Sequence, residues 1–346
     1  MRFYTQQHQH YAGVDLHARS MYVCVLDAQG QTRIHQKVPT QPEAFLRLIE
    51  PCREDLVVAC ECLFCWYWLA DLCAQEHIAF VLGHAYYMRA VHGGKSKNDR
   101  LDSQKIAVLL RGGMLPRAYV YPRAMRSTRD LLRRRLHFVR KRAELLAHFQ
   151  NTQSQYNLPA LDRHLGKVAR THLLEHFGDD AEVQMSMAAN LALVETLDET
   201  IYQMERYLEH CIRTDDYTTF YLLQSIPGVG RILALTLFYE IHDIHRFAQV
   251  GNFLSYARLV PGARESDGKV KAVGGRKMGN AHLRWAFSEA AVLFLRTPAH
   301  QQFFKKLAKK HGRKKALSIL AAKLGRAVYF MWKRRQPFND EQFLRL

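Results

Sequence analysis

Four acidic residues stand where an acid needs a reason. Asp15 lies inside the apolar run YAGVDLH, between Val14 and Leu16, where burying a carboxylate is costly unless a cation offsets it. Glu61 closes the run LVVACE, at the C-terminal end of what reads as an inner strand, where ligands gather on open sheets. Asp99 and Asp102, in KNDRLD, are three residues apart, so on a helix they share one face with Cβ atoms about 5–6 Å from each other. Converging carboxylates form an oxygen-only ligand set for Mg²⁺, with Mn²⁺ as a substitute. Two such ions about 4 Å apart serve phosphoryl transfer by activating one oxygen and stabilising another. Taken alone, Asp99 and Asp102 fit equally well a solvated helix start, where acids complement the helix dipole. Asp15 and Glu61 are harder to dismiss, because each interrupts an apolar strand.

A candidate nucleophile lies far downstream. The segment RLVPGARESDGKVKAVGGRKMGNAHLR mixes Gly262, Gly268, Gly274, Gly275 and Gly279 with Arg264, Lys269, Lys271, Arg276, Lys277 and Arg284, and reads as a flexible cationic loop around Ser266. Serine is a weak nucleophile until activated, and by residue type alone Ser266 reads as a turn serine. Ser255, in FLSYARLV, reads as a packed helix residue. His17, beside Asp15, reads as a satisfied core or rim histidine, with tuning of that site as the alternative, and Trp66, Tyr67 and Trp68 read as packing residues of a helix after Glu61. Cys60, Cys62, Cys65 and Cys73 crowd one stretch without a His-x3-His partner, and read as reduced thiols rather than a zinc site.

The elements that must hold these residues follow from periodicity. YAGVDLHA, SMYVCVLDAQG and QTRIHQKVP read as three successive strands, PEAFLRLIE as a helix, LVVACE as a buried strand, CWYWLADLCAQEH as a helix and IAFVLG as a strand. A helix from about Lys97 should stop at Gly112 and Gly113. Acids at those strand ends, on three strands followed by helix and strand, resemble an RNase H-like arrangement. The stretch from Met125 to Gln155 is helical and strongly basic, including Arg133, Arg134 and Arg140, and an acid-balanced helix around residues 187–212 should pack against it. Ile226 to Gly230, IPGVG, joins two helices, either as a phosphate-binding hairpin turn or as a plain connector. Helices close the chain over about 281–296 and 314–335. The expected domains are an α/β unit over 1–120, a helical arm over 121–215 and a mainly helical unit over 216–346.

Charge narrows the class of partner. The 346 residues carry 50 Lys plus Arg against 32 Asp plus Glu, a net charge of +18. Between Lys305 and Arg335 there are twelve basic residues, Lys314 and Lys315 among them, and no acid. That is an electrostatic footprint for phosphate backbones. No apolar stretch approaches the roughly 18–20 residues of a membrane span, and no secretory signal is recognisable, so a cytoplasmic protein is expected.

The ordered set GVDLH, an acidic strand end with a Tyr-Trp pair behind it, KNDRLDSQKIA, a basic helical arm, SIPGVG, LVPGARESDGK and KMGNAHLR resembles the DEDD transposases of the insertion-sequence 110 family, relatives of the Piv invertase. The resemblance spans about Tyr11 to Arg335. It implies a RuvC-like (RNase H-like) N-terminal domain whose Mg²⁺-binding acids match Asp15, Glu61, Asp99 and Asp102, and a C-terminal transposase domain whose nucleophilic serine matches Ser266. It implies a covalent phosphoserine link to DNA, a site assembled from different protomers in a dimer or tetramer, and a structured noncoding RNA that pairs with donor and target DNA. This chain departs from the family pattern at Leu63-Phe64-Cys65, where a small Ala-Thr-Gly segment is usual, and at Asp267, where Ser or Gly follows the serine. Two rivals remain at this level: a metal-dependent junction-resolving nuclease in which Ser266 is structural, and a noncatalytic transposase-derived nucleic-acid-binding protein.

Overall fold

The computed structural model describes residues 2–345 apart from 92–97, 163–164, 167, 171, 261, 267–268 and 275–277. It divides into two compact units, Met1–Arg123 and Ala124–Leu346. The expected arm and C-terminal third thus lie within one unit.

The first unit is a mixed five-stranded sheet. Strands β1 (His10–Leu16), β2 (Ser20–Asp27) and β3 (Thr32–Pro39) form an antiparallel meander, and β4 (Leu56–Glu61) and β5 (Ala79–Gly83) continue it in parallel on the other side of β1, giving the order β3-β2-β1-β4-β5. Helices α1 (Pro42–Ile49), α2 (Tyr67–Gln75), α3 (Ala85–Val91) and α4 (Asp99–Arg111) complete the unit. Both faces of the sheet are covered. Val14, Val23, Val58 and Cys60 pack with Phe45 and Ile49 of α1 and Leu69 and Cys73 of α2, while Tyr11, Val57, Ala59 and Val81 pack with Ile106, Leu109 and Leu110 of α4. That is why LVVAC is apolar without alternation: successive side chains enter opposite cores. Helix α4 starts on its cap Asn98 and ends at Gly112, followed by Gly113 at φ +66°, so the expected glycine stop is observed.

The second unit is mainly helical: α5 (Arg123–Gln155), which starts at the boundary, α6 (Ala181–Thr214), α7 (Tyr217–Gln224), α8 (Arg231–Ile241), α9 (Val250–Tyr256), a hairpin of β6 (Gly262–Ser266) and β7 (Lys269–Gly274), α10 (Ala281–Phe294), α11 (Pro298–His311), α12 (Arg313–Arg334) and α13 (Asp340–Leu344). Helices α5 and α6 pack as expected. Phe149 of α5 shares a core with Val183, Met187 and Val194, and Arg135 and Arg142 pair with Glu205 and Asp198. The acids of the second helix therefore neutralise part of the basic first one. Phe253, Phe287, Leu320, Val328 and Trp332 belong to the largest core.

Two expectations are corrected. The stretch around Ser266 is a β-hairpin rather than an irregular loop, with Ser266 registered opposite Lys269. The signal was present: Asp267-Gly268 between two β-capable runs is a favoured hairpin connection. Ser255 lies in α9 but is exposed, not packed. The basic run from Lys305 spans two helices that meet at Gly312, φ +77°, and the second, α12, matches the helix expected over about 314–335.

Candidate active site

Asp15 and Glu61 reach the same end of the sheet because β1 and β4 run parallel. The last registered pair between them is Val14 with Cys60, so Asp15 and Glu61 are the next residue on each strand. Asp99 opens α4, and Asp102 lies in its first turn. The helix is fixed there by three features. Asn98 Oδ1 accepts from the Arg100 N–H at 3.0 Å; His35 Nε2, on β3, donates to the Arg100 carbonyl at 2.9 Å; and Gly13 lets the α4 backbone close onto β1. The ring of His35 packs edge-on against Tyr22, the cross-strand neighbour of Asp15.

Among the described residues, one group brings metal-ligating atoms together: Asp15, His17 and Asp99, all within 4.8 Å of one another. His17 Nε2 is 3.3 Å from Asp15 and 3.7 Å from Asp99. Asp15 is buried, whereas His17 and Asp99 are about half exposed, at 49% and 51% of their side chains. Burial pushes the Asp15 carboxyl above the ordinary carboxylate value; His17 pulls it back, and the charges of Asp99 and Asp102 push it up again. Asp102 also accepts from Lys105 Nζ at 2.9 Å. A carboxylate crowded by two others around a buried position is an arrangement that a divalent cation relieves, so the carboxylates fit an ion of the Mg²⁺ class. His17 is a half-exposed rim histidine in contact with both acids, and its place two residues after Asp15 was the available signal.

The cysteines form no comparable centre. None is in a disulfide, and among the described residues Cys60, Cys62, Cys65 and Cys73 do not bring their sulfurs to metal-binding distances. Burial pushes Cys73 up to about 12 and Cys60 well above the ordinary thiol value. Cys65 lies at the edge of the acidic site, its Sγ donating to the Leu16 carbonyl at 3.3 Å.

In the second unit Ser266 is the last residue of β6. Its side chain, and those of Lys269 and Lys271, fall outside the described structure, as do Arg276 and Lys277 altogether. Downstream of the hairpin the chain is anchored firmly. Asn280 caps α10 through its Oδ1, and its Nδ2 donates to Glu240 at 2.7 Å. Glu240, 1% exposed, also accepts from Arg129 at 3.0 Å and from Arg133 at 2.6 and 3.0 Å. Burial alone would raise its carboxyl; the two guanidinium groups and Asn280 outweigh that and hold it at about 2. Sequence reading missed this centre, because Glu240 lies in the last turn of an apolar helix and nothing local marks its partners. Arg133, read as a nucleic-acid contact, is engaged by Glu240, whereas Arg134, Arg140, Arg284, Lys314 and Lys315 are exposed.

At the IPGVG turn, Gly228 sits at φ +83°, and a Cβ there would lie 2.6 Å from the backbone of Leu293 and Phe294, so this glycine serves packing onto α10. Gly230, the cap of α8, meets nothing within 4 Å.

Comparison with known proteins gives these sites a context. A family model of DEDD transposases of the IS110 type matches residues 12–157, which contain all four acids, and one described as the transposase IS116/IS110/IS902 family matches residues 221–305, which contain Ser266. The transposase for insertion sequence element IS1111A of Coxiella burnetii is 25% identical, over 70% of this chain and 69% of its own. The insertion element IS116 uncharacterized 44.8 kDa protein of Streptomyces clavuligerus is 22% identical over 97% of each chain. A putative transposase, y4qE, of Sinorhizobium fredii is 26% identical over 60% of this chain and 50% of its own. On two matching models, one in each unit, and on relatives along nearly its whole length, the chain belongs to the IS110 family of insertion-sequence transposases.

Proposed function

We propose that this enzyme cuts and rejoins DNA by a metal-assisted phosphoserine route, directed by a noncoding RNA of its own element. The carrying observation is the convergence of Asp15 and Asp99, with Asp102 adding to the charge at Asp15, at the sheet end where Glu61 terminates β4. The strand order β3-β2-β1-β4-β5, antiparallel then parallel, supports reading this unit as RuvC-like.

Asp15, Glu61, Asp99 and Asp102 would hold the cation, Mg²⁺ or Mn²⁺, which supplies Lewis-acid stabilisation of charge on phosphate oxygens. Ser266 is assigned the nucleophile. Its oxygen loses a proton and attacks phosphorus, a serine–phosphate bond forms, and one P–O bond to a deoxyribose oxygen breaks, leaving a hydroxyl. Attack by the hydroxyl of another strand reverses these changes, so the number of phosphodiesters is conserved without an external energy source. Downstream of the hairpin that carries Ser266, Asn280 is tied to Glu240 and caps α10.

The net charge of +18 and the exposed Arg134, Arg140, Arg284, Lys314 and Lys315 support holding donor DNA, target DNA and guide RNA together. Assembly as a dimer or tetramer and a cytoplasmic location belong to the same reading. Among the described residues, no helix is long and apolar enough to cross a membrane.

The test combines full-length protein, RNA from the flanking sequence, Mg²⁺ and end-labelled donor and target DNA, then measures label retained on denatured protein. Wild type should retain label, and Ser266→Ala and Asp15→Asn should not. Free cut ends with both wild type and Ser266→Ala would replace the serine route with a metal nuclease. RNA and DNA binding without cutting by wild type would favour a noncatalytic binding protein.

A further inference from the structure

The metal reading above leaves one side chain of the site without a role. His17 is the first residue past β1, and its backbone is held on both sides: its N–H donates to the Ser20 carbonyl at 3.2 Å, and its carbonyl accepts from Thr40 Oγ1 at 2.8 Å. The ring therefore projects from a fixed backbone. Its Nε2, not a carbon edge, faces the two carboxylates at 3.3 and 3.7 Å, and these three donor atoms are the group within 4.8 Å. Asp15 and His17 come from one strand end and Asp99 from a helix start, so the set is built by tertiary structure rather than by neighbours in sequence.

An imidazole nitrogen changes what such a site prefers. Mg²⁺ takes oxygen ligands and accepts nitrogen poorly, whereas first-row transition cations bind imidazole well and gain along the Irving–Williams series. We infer that His17 is a direct ligand, through Nε2, of the cation held by Asp15 and Asp99, and that it biases this enzyme toward a transition cation such as Mn²⁺ over Mg²⁺. This rests on the reading that the acids hold a divalent ion.

The experiment uses full-length protein and the metal alone. Mn²⁺ binding is followed by electron paramagnetic resonance, Mg²⁺ by competition, and nitrogen coordination by electron spin-echo modulation from ¹⁴N. Wild type, His17→Ala and Asp15→Asn are compared, with thermal melts of the metal-free proteins as the check on folding; His17 is half exposed, so its removal leaves the core intact. Expected are ¹⁴N modulation in wild type that disappears in His17→Ala, and a loss of Mn²⁺ affinity in that variant on the order of tenfold or more, the scale that even supporting partners of metal ligands reach. Mg²⁺ affinity should change much less. Equal Mn²⁺ affinity in wild type and His17→Ala without ¹⁴N modulation, but lost in Asp15→Asn, would overturn the inference and leave the acidic metal site standing. Failure of wild type to bind either ion would remove both.

Discussion

Gly13 and Ser103 meet backbone to backbone: a Cβ built on Gly13 would stand 2.2 Å from the Ser103 carbonyl oxygen and 2.4 Å from the Ala107 nitrogen. Gly13 is two residues before Asp15 on β1, and Ser103 is one residue after Asp102 on α4, so this contact sets how near the helix-borne acids come to the strand-borne one. Neither neighbour is the end of a flexible side chain, so a methyl group there must push the helix away. Gly13→Ala should destabilise the first unit by about 1–3 kcal/mol or more. It should also weaken divalent-ion binding although no ligand is altered. Thermal denaturation with and without metal checks both, and an unchanged melting temperature would refute the close approach.

Asp15→Asn separates stability from chemistry. The Asp15 carboxyl is pushed up by burial and by Asp99 and Asp102, so its charged form is disfavoured in the folded, metal-free protein. A carboxyl raised on folding makes the protein more stable as pH falls from above its folded value toward its unfolded one, the reverse of the usual acid effect. Metal-free Asp15→Asn should therefore melt above wild type at pH 7, with the gap narrowing on acidification, and should lose metal binding. A lower melting temperature at neutral pH would show that the charged form is already compensated.

Glu240 behaves in the opposite sense. Its carboxyl is held at about 2 against an ordinary 4.5, so its stabilisation is complete above pH 4.5 and is lost as pH falls toward 2. The difference corresponds to on the order of 3 kcal/mol. Glu240→Ala, which strands Arg129 and Arg133, should cost about 3–5 kcal/mol at neutral pH. Denaturant unfolding from pH 7 to 3 should show wild type converging on Glu240→Gln, and parallel curves would contradict the assignment.

Adjacent arginines on α5 should part company in a salt titration. Arg134 is exposed, whereas Arg133 pairs with Glu240 at 2.6 Å. Arg134→Ala should lower the slope of log affinity for DNA against log salt by about 0.9 if it neutralises one phosphate. Arg133→Ala should lower thermal stability and leave that slope nearly unchanged. The reverse pattern would return Arg133 to the nucleic-acid surface.

Sequence by itself determined the order of elements and the chemistry on offer. The run LVVAC had to be a doubly buried strand, the KNDRLD helix had to stop at two glycines, and Asp15 within an apolar strand had to have a partner, because periodicity and the cost of buried charge are local matters. Tertiary structure decided which groups meet. Parallel pairing of β1 with β4 put Asp15 beside the end of the strand that Glu61 closes, and Gly13 brought α4 close enough for Asp99 to join Asp15 and His17. The Arg129–Arg133–Glu240–Asn280 centre, spread over about 150 residues, was invisible for the same reason. Which arginine faces water and which holds a buried carboxylate depends on long-range packing, and adjacent residues of the same type, such as Arg133 and Arg134, carry no local mark of the difference.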